Sequence, residues 1–118
     1  MIIEKQWYPF LIDIAGFHVI EQLTDIYVES EAEGEYLVFL FDWNEGFTQE
    51  AVPLHQFASQ MKEYYLNYGR GYCIMSFIDF DGTWFANISG TIHKRSIQGQ
   101  SEPEVIFKAG AWIQEQED

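Results

Sequence analysis

Tyr72-Cys73-Ile74-Met75-Ser76-Phe77-Ile78-Asp79-Phe80, then Asp81-Gly82, then Thr83-Trp84-Phe85-Ala86-Asn87-Ile88-Ser89-Gly90-Thr91-Ile92, is the stretch whose reading decides the fold class. Two apolar runs flank an Asp-Gly pair, which is a strong short-range signal for an antiparallel hairpin. A two-residue turn at Asp81-Gly82 sets Phe80 opposite Thr83. It thereby aligns Asp79 with Trp84, Phe77 with Ala86, Met75 with Ile88 and Cys73 with Gly90. That register gathers most of the large apolar residues on one face and leaves Ser76, Asn87, Ser89 and Thr91 on the other, the pattern of a half-buried pair.

Upstream of the hairpin, residues 53–68 carry Leu54, Phe57, Ala58, Met61, Tyr64, Tyr65 and Tyr68 at helical spacing. Pro53 suits the first helical position and Gly69 the left-handed residue just past the end. Downstream, residues 96–103 read as a polar loop, residues 104–112 as a third strand and residues 114–118 as a frayed acidic tail. In the first half, residues 36–43 form a near-continuous apolar and aromatic run, too short for a typical helix and suited to a central strand. Residues 23–30 are its expected hairpin partner, joined through Glu31-Ala32-Glu33-Gly34. Residues 9–22 are open between the helical stripe Ile12, Ala15, Val19, Ile20, Leu23 and a strand over Phe10-Leu11-Ile12-Asp13-Ile14, with Gly16 interrupting either. The expectation is an α+β fold: an antiparallel sheet of about five strands packed against one main helix, with a possible second helix near the N-terminus.

The 118 residues suit a single domain over residues 1–118, since each domain needs a core of its own. Hydrophobic residues make up 47% and aromatics 18% of the chain, far too much apolar surface for a disordered polypeptide. No run approaches the roughly 20 apolar residues that cross a bilayer. The start Met-Ile-Ile-Glu-Lys-Gln lacks the basic flank and apolar region of a secretory signal, so a cytoplasmic location is expected. The one cysteine, Cys73, has no partner for an internal disulfide and is expected to be a buried, inert thiol.

Charge is the informative total. Nineteen acids against six bases give −13, a field that repels nucleic acid and anionic membranes and speeds encounter with basic partners. The distribution is uneven, because no Lys or Arg occurs between Lys5 and Lys62. That gap holds Asp13, Glu21, Asp25, Glu29, Glu31, Glu33, Glu35, Asp42, Glu45 and Glu50.

No catalytic signature accompanies this charge. His18, His55 and His93 fall in three different predicted elements, without the flanking pattern of a nucleophile–base pair. One cysteine and three scattered histidines do not make a zinc site. The acidic stretch 29–35 lacks the roughly twelve-residue ligand spacing of an EF-hand and reads as a solvated hairpin tip. Gly69-Arg70-Gly71 follows a helix instead of opening one, so it is not a phosphate cradle. Asn87-Ile88-Ser89 matches a glycosylation acceptor only by coincidence in a chain without a secretory signal. Neither enzymatic activity nor a cofactor or metal is expected.

What remains is Asp42-Trp43-Asn44-Glu45-Gly46-Phe47, a predicted loop combining two acids with two aromatics. Such a composition suits an interface with buried aromatic anchors and steering charges. The plain alternative is that Trp43 and Phe47 close the core while Asp42 and Glu45 form a solvated rim. The candidate partner-binding residues are Glu31, Glu33, Asp42, Trp43, Glu45 and Phe47. With its acid-only stretch between Gln6 and Met61 and the segment 35–47, the chain resembles the small acidic immunity proteins of bacterial polymorphic-toxin and contact-dependent growth-inhibition systems. The resemblance implies a cytoplasmic inhibitor that binds a basic toxin, a nuclease by preference, with no direct contact to nucleic acid or membrane. Two other readings stand beside it. One is a phage-type nucleic-acid mimic, which needs acids along a continuous ridge. The other is a ligand-binding or enzymatic α+β domain, which needs a deep pocket where His18 or His93 meets a carboxylate.

Overall fold

A computed structural model describes residues 1–68 and 71–116. The chain divides into two compact units, Met1–Phe57 and Ala58–Asp118.

The first unit opens with a single 3-10 turn at Lys5–Trp7 and helix α1, Tyr8–Ala15. Pro9 sits in the first turn, where its missing N–H is no loss, and Phe10, Leu11, Ile12 and Ile14 are buried. Gly16 ends the helix at φ 85°, a left-handed conformation that glycine adopts without the penalty of a Cβ. Its N–H donates to the Asp13 carbonyl while the N–H of Phe17 reaches back to Ile12, the paired bonds of a Schellman stop. The helical option for this segment is therefore the one realised, and Gly16 is why it is short.

Three antiparallel strands follow, β1 (Leu23–Glu31), β2 (Gly34–Trp43) and β3 (Gly46–Pro53), in the order β1-β2-β3. The β1–β2 hairpin turns at Ala32-Glu33 with Glu31 opposite Gly34, as the sequence suggested. Leu37, Val38 and Phe39 are consecutive and each at most 1% exposed, so the middle of β2 is covered on both faces. The predicted loop 42–47 is instead a second tight hairpin: Asp42 pairs with Phe47 and Trp43 with Gly46. Strand β3 was illegible because only Val52 along it is even half-buried, so no alternation marks it. Pro53 is the last residue of β3, and helix α2 runs from Leu54 to Asn67.

The second unit holds most of α2, a sheet of β4 (Cys73–Ile78), β5 (Trp84–Ser89) and β6 (Lys94–Gly99) in that order, and helix α3 (Glu102–Gln116) on one sheet face. The α+β class holds, but two three-stranded sheets replace the expected single sheet of about five strands. Residues 104–112, read as a strand, are the heart of α3. Ser101 caps it, its Oγ accepting from the Glu104 N–H at 3.3 Å, and buried Val105, Ile106, Ala109, Gly110 and Ile113 form a helical stripe. The third strand lies in β6, which overlaps the predicted polar loop, and Gln114–Gln116 belong to α3 rather than to a frayed tail. Gly110 lets α2 approach α3: a Cβ there would meet the Met61 Cε at 2.7 Å and the Tyr65 ring at 3.1 Å. The proposed helix stop at Gly69, Arg70 beside it and the last two residues of the tail lie outside the described residues.

The β4–β5 hairpin exists, one residue out of the expected register. Ile78 pairs with Trp84, Phe77 with Phe85, Met75 with Asn87 and Cys73 with Ser89. The connection spans five residues, not two: Asp79 N–H donates to Thr83 O at 2.9 Å, and the Asp81 carboxylate accepts from the Thr83 N–H at 2.9 Å. Because side chains alternate with period two, this slip changes which residues share a face. Ile74, Ala86 and Ile88 are buried, while Met75 and Phe77 are exposed and Cys73, expected to be buried, is an exposed thiol.

Candidate functional site

The tip of the β2–β3 hairpin brings Asp42, Trp43, Glu45 and Phe47 together. Pairing places Trp43 on the sheet face of Phe39 and Phe41, and Asp42 with Phe47 on the opposite face. Trp43 is the outer end of a ladder of rings. Phe39 packs against Phe57 with centroids 6.1 Å apart, Phe17 contacts Phe39 and Phe41 at 5.1 and 5.3 Å, and Phe41 stacks on Trp43 at 6.1 Å. Its indole N–H donates to Thr48 Oγ1 at 2.7 Å, which fixes the ring while leaving it 39% exposed. Phe47 is 67% exposed. The two aromatics thus divide the roles foreseen for both: Trp43 closes the core with one face in solvent, and Phe47 stands in solvent.

Glu31 and Glu33 lie at the other hairpin, beyond the opposite end of β2. Nine strand steps from Gly34 to Trp43, at about 3.3 Å each, put the two groups about 30 Å apart. The six candidate residues therefore form two clusters. Both belong to a strongly acidic unit, since residues 1–57 hold eleven acids and one base, Lys5. All of these acids are exposed except half-buried Asp25, which accepts a hydrogen bond from Tyr8 Oη at 2.7 Å. Burial, and then that bond, raise the Tyr8 phenol above its ordinary value.

Sequence reading missed a polar chain in the second unit. Lys62 Nζ on α2 donates to Ser76 Oγ on β4 at 2.6 Å, and Ser76 Oγ donates to Glu102 Oε2 on α3 at 2.8 Å. The register slip hid it, because it turns Ser76 from the predicted solvent face toward the helices. A nucleophilic serine needs a base to receive its proton and an open cleft for substrate. Here the Glu102 carboxylate accepts from the Ser76 hydroxyl, but Lys62 donates to the same oxygen and none of the described cavities borders Ser76. The arrangement serves as a tie between three elements.

His18 and His55 are exposed, and His93 packs its ring edge-on to Trp112 at 6.1 Å. A cavity of about 250 Å³ beside it is lined by Tyr72, Thr91, Ile92, His93 and Gln116, without a carboxylate among these residues. Among the described residues no group of three or more His, Cys, Asp or Glu is placed to hold a metal ion, and no helix is long and apolar enough to cross a membrane. Compared with known proteins, the chain matches no family model, no curated protein and no solved structure.

Proposed function

We propose that this chain is an inhibitor of the immunity-protein kind, which binds and neutralises a basic protein, a nuclease toxin by preference, through the acidic surface of its first unit. The supporting observation is the β2–β3 tip, where exposed Phe47 and half-open Trp43 stand beside Asp42 and Glu45 in a segment with a single base. Aromatic anchors supply affinity by excluding water, and the surrounding charge raises the association rate. The protein acts by covering its partner, without a cofactor and without touching nucleic acid.

Capture of partners from host lysate at low and high salt, followed by inhibition assays on the captured protein, tests the proposal. A basic protein should be retained at low salt, be released as salt rises, and lose its nuclease activity on adding this chain. Phe47→Ala should weaken binding by about 2 kcal/mol or more, since it removes an exposed anchor without touching the core. Neutralising Asp42 with Glu45, or Glu31 with Glu33, should each slow association. The two effects should be independent, because the pairs lie further apart than the Debye length of about 8 Å at physiological salt. Retention only of acidic or neutral proteins, or binding indifferent to all these changes, removes the reading.

A further inference from the structure

Gly90, Thr91, Ile92 and His93 connect β5 to β6, and the Gly90 N–H donates to the His93 carbonyl at 2.8 Å, which closes a tight turn. Gly90 serves a contact: a Cβ on it would stand 2.5 Å from Tyr72 Cε1, so the Tyr72 ring lies directly on the backbone of the turn. Tyr72 is 6% exposed, and its ring and that of His93 each meet Trp112 of α3 edge-on, with centroids 6.4 and 6.1 Å away. Three aromatic side chains, from the start of β4, the turn and the helix, thus brace one another beside the cavity of about 250 Å³ lined by Tyr72, Thr91, Ile92, His93 and Gln116. Ile92 at its rim is 86% exposed, an apolar side chain at the tip of a turn, where polar residues, Gly and Pro are the rule.

We propose that this cavity binds a small, uncharged heteroaromatic molecule of one or two rings. Size sets the limits: an apolar cavity of about 150 Å³ takes a benzene-sized ring, and drug-sized ligands occupy about 300–1,000 Å³. The walls set the class. Tyr72, Ile92 and His93 supply ring and aliphatic surface. The Tyr72 and Thr91 hydroxyls and the His93 imidazole can each donate and accept, and among the described residues none of these three side chains has a hydrogen-bond partner. Gln116 donates from its amide nitrogen to the Trp112 carbonyl at 3.2 Å, which leaves its amide oxygen to accept. No carboxylate, ammonium or guanidinium is among these walls, so nothing there offsets the desolvation of a charged ligand. A flat ring with donor and acceptor atoms on its edge matches both the aromatic surface and the polar groups. His93, with no acid beside it in the cavity, is a recognition group there. Binding at this place is independent of the acidic hairpin tip, which belongs to the other unit.

Titration of the full isotope-labelled chain, followed by nuclear magnetic resonance, tests the assignment with adenine, cytosine and nicotinamide as uncharged probes. Benzamidinium and benzoate serve as charged counterparts of similar size. At least one uncharged probe should bind with a Kd below about 1 mM, the strength open to a ligand of about ten atoms. It should move the amide resonances of residues 91–93 and the indole N–H of Trp112. Ile92→Asp, at an exposed position, and separately His93→Ala should each weaken that binding at least about tenfold while the circular dichroism spectrum is kept. His18→Ala, in the other unit, should leave it unchanged. The proposal is overturned if no uncharged probe binds at that strength, or if a charged counterpart binds more tightly than all three. Shifts that map away from the turn, or a Kd that neither variant changes, overturn it equally.

Discussion

Strands β2 and β5 are both middle strands of three-stranded antiparallel sheets, yet they are buried in different ways. In β2 the consecutive residues Leu37, Val38 and Phe39 are all sealed, whereas in β5 buried Ala86 and Ile88 alternate with exposed Asn87 and Ser89. Cover on both faces demands an unbroken apolar run, and cover by a single helix layer demands alternation. The difference teaches that strand patterning records the number of layers packed on a sheet, more than it records pairing. Both patterns are plain in the sequence, as Tyr36-Leu37-Val38-Phe39-Leu40-Phe41 and as Ala86-Asn87-Ile88-Ser89.

The sharpest way to break this contrast is to substitute successive residues. Phe39→Ala should cost about 3–5 kcal/mol in chemical denaturation, and Val38→Ala, one residue away on the opposite face, should cost well over about 1 kcal/mol. A negligible cost at Val38 would mean that its face is not packed. In β5, Ile88→Ala should cost about 2–5 kcal/mol while Asn87→Lys stays within about 0.5 kcal/mol. A large penalty at Asn87 would erase the distinction. The smallest effect concerns α3, the layer that β5 packs against. Its Glu104 accepts from Lys108 Nζ at 2.8 Å, and that hydrogen bond holds the carboxyl below its ordinary value. A depressed carboxylate stabilises the fold above its unfolded pKa, and the contribution disappears as pH falls through the folded one. Because Lys108 is 42% exposed and screened, Glu104→Gln should cost no more than about 0.5 kcal/mol at neutral pH and nothing in acid, read by denaturation at both.

Legibility followed the same physics. The β1–β2 hairpin was readable because its turn is short and its apolar run leaves only one good register. The β4–β5 register was misread by one residue because Asp81-Gly82 is embedded in a wider turn stabilised by Asp79 and Asp81. With Met75 and Phe77 apolar yet exposed, burial could not correct the error. Residues 104–112, expected as a strand, lie in helix α3, and Ser101-Glu102-Pro103-Glu104 just before them is a capping-box pattern that marks a helix start. At the candidate site, the composition of residues 42–47 was readable but its geometry was not. The distance to Glu31 and Glu33 depends on β2 running straight between two hairpins, and nothing along residues 46–51 announces the second one.

The ring ladder that ends at Trp43 has an optical consequence. Trp7 is 4% exposed, while Trp43, stacked on Phe41, presents 39% of its surface at the outer end of the ladder. Its emission belongs at longer wavelength than that of Trp7, and a collisional quencher in the solvent reaches it more readily. Whatever settles on the hairpin tip dries that indole and shields it, so the protein carries its own fluorophore at the place where contact is proposed.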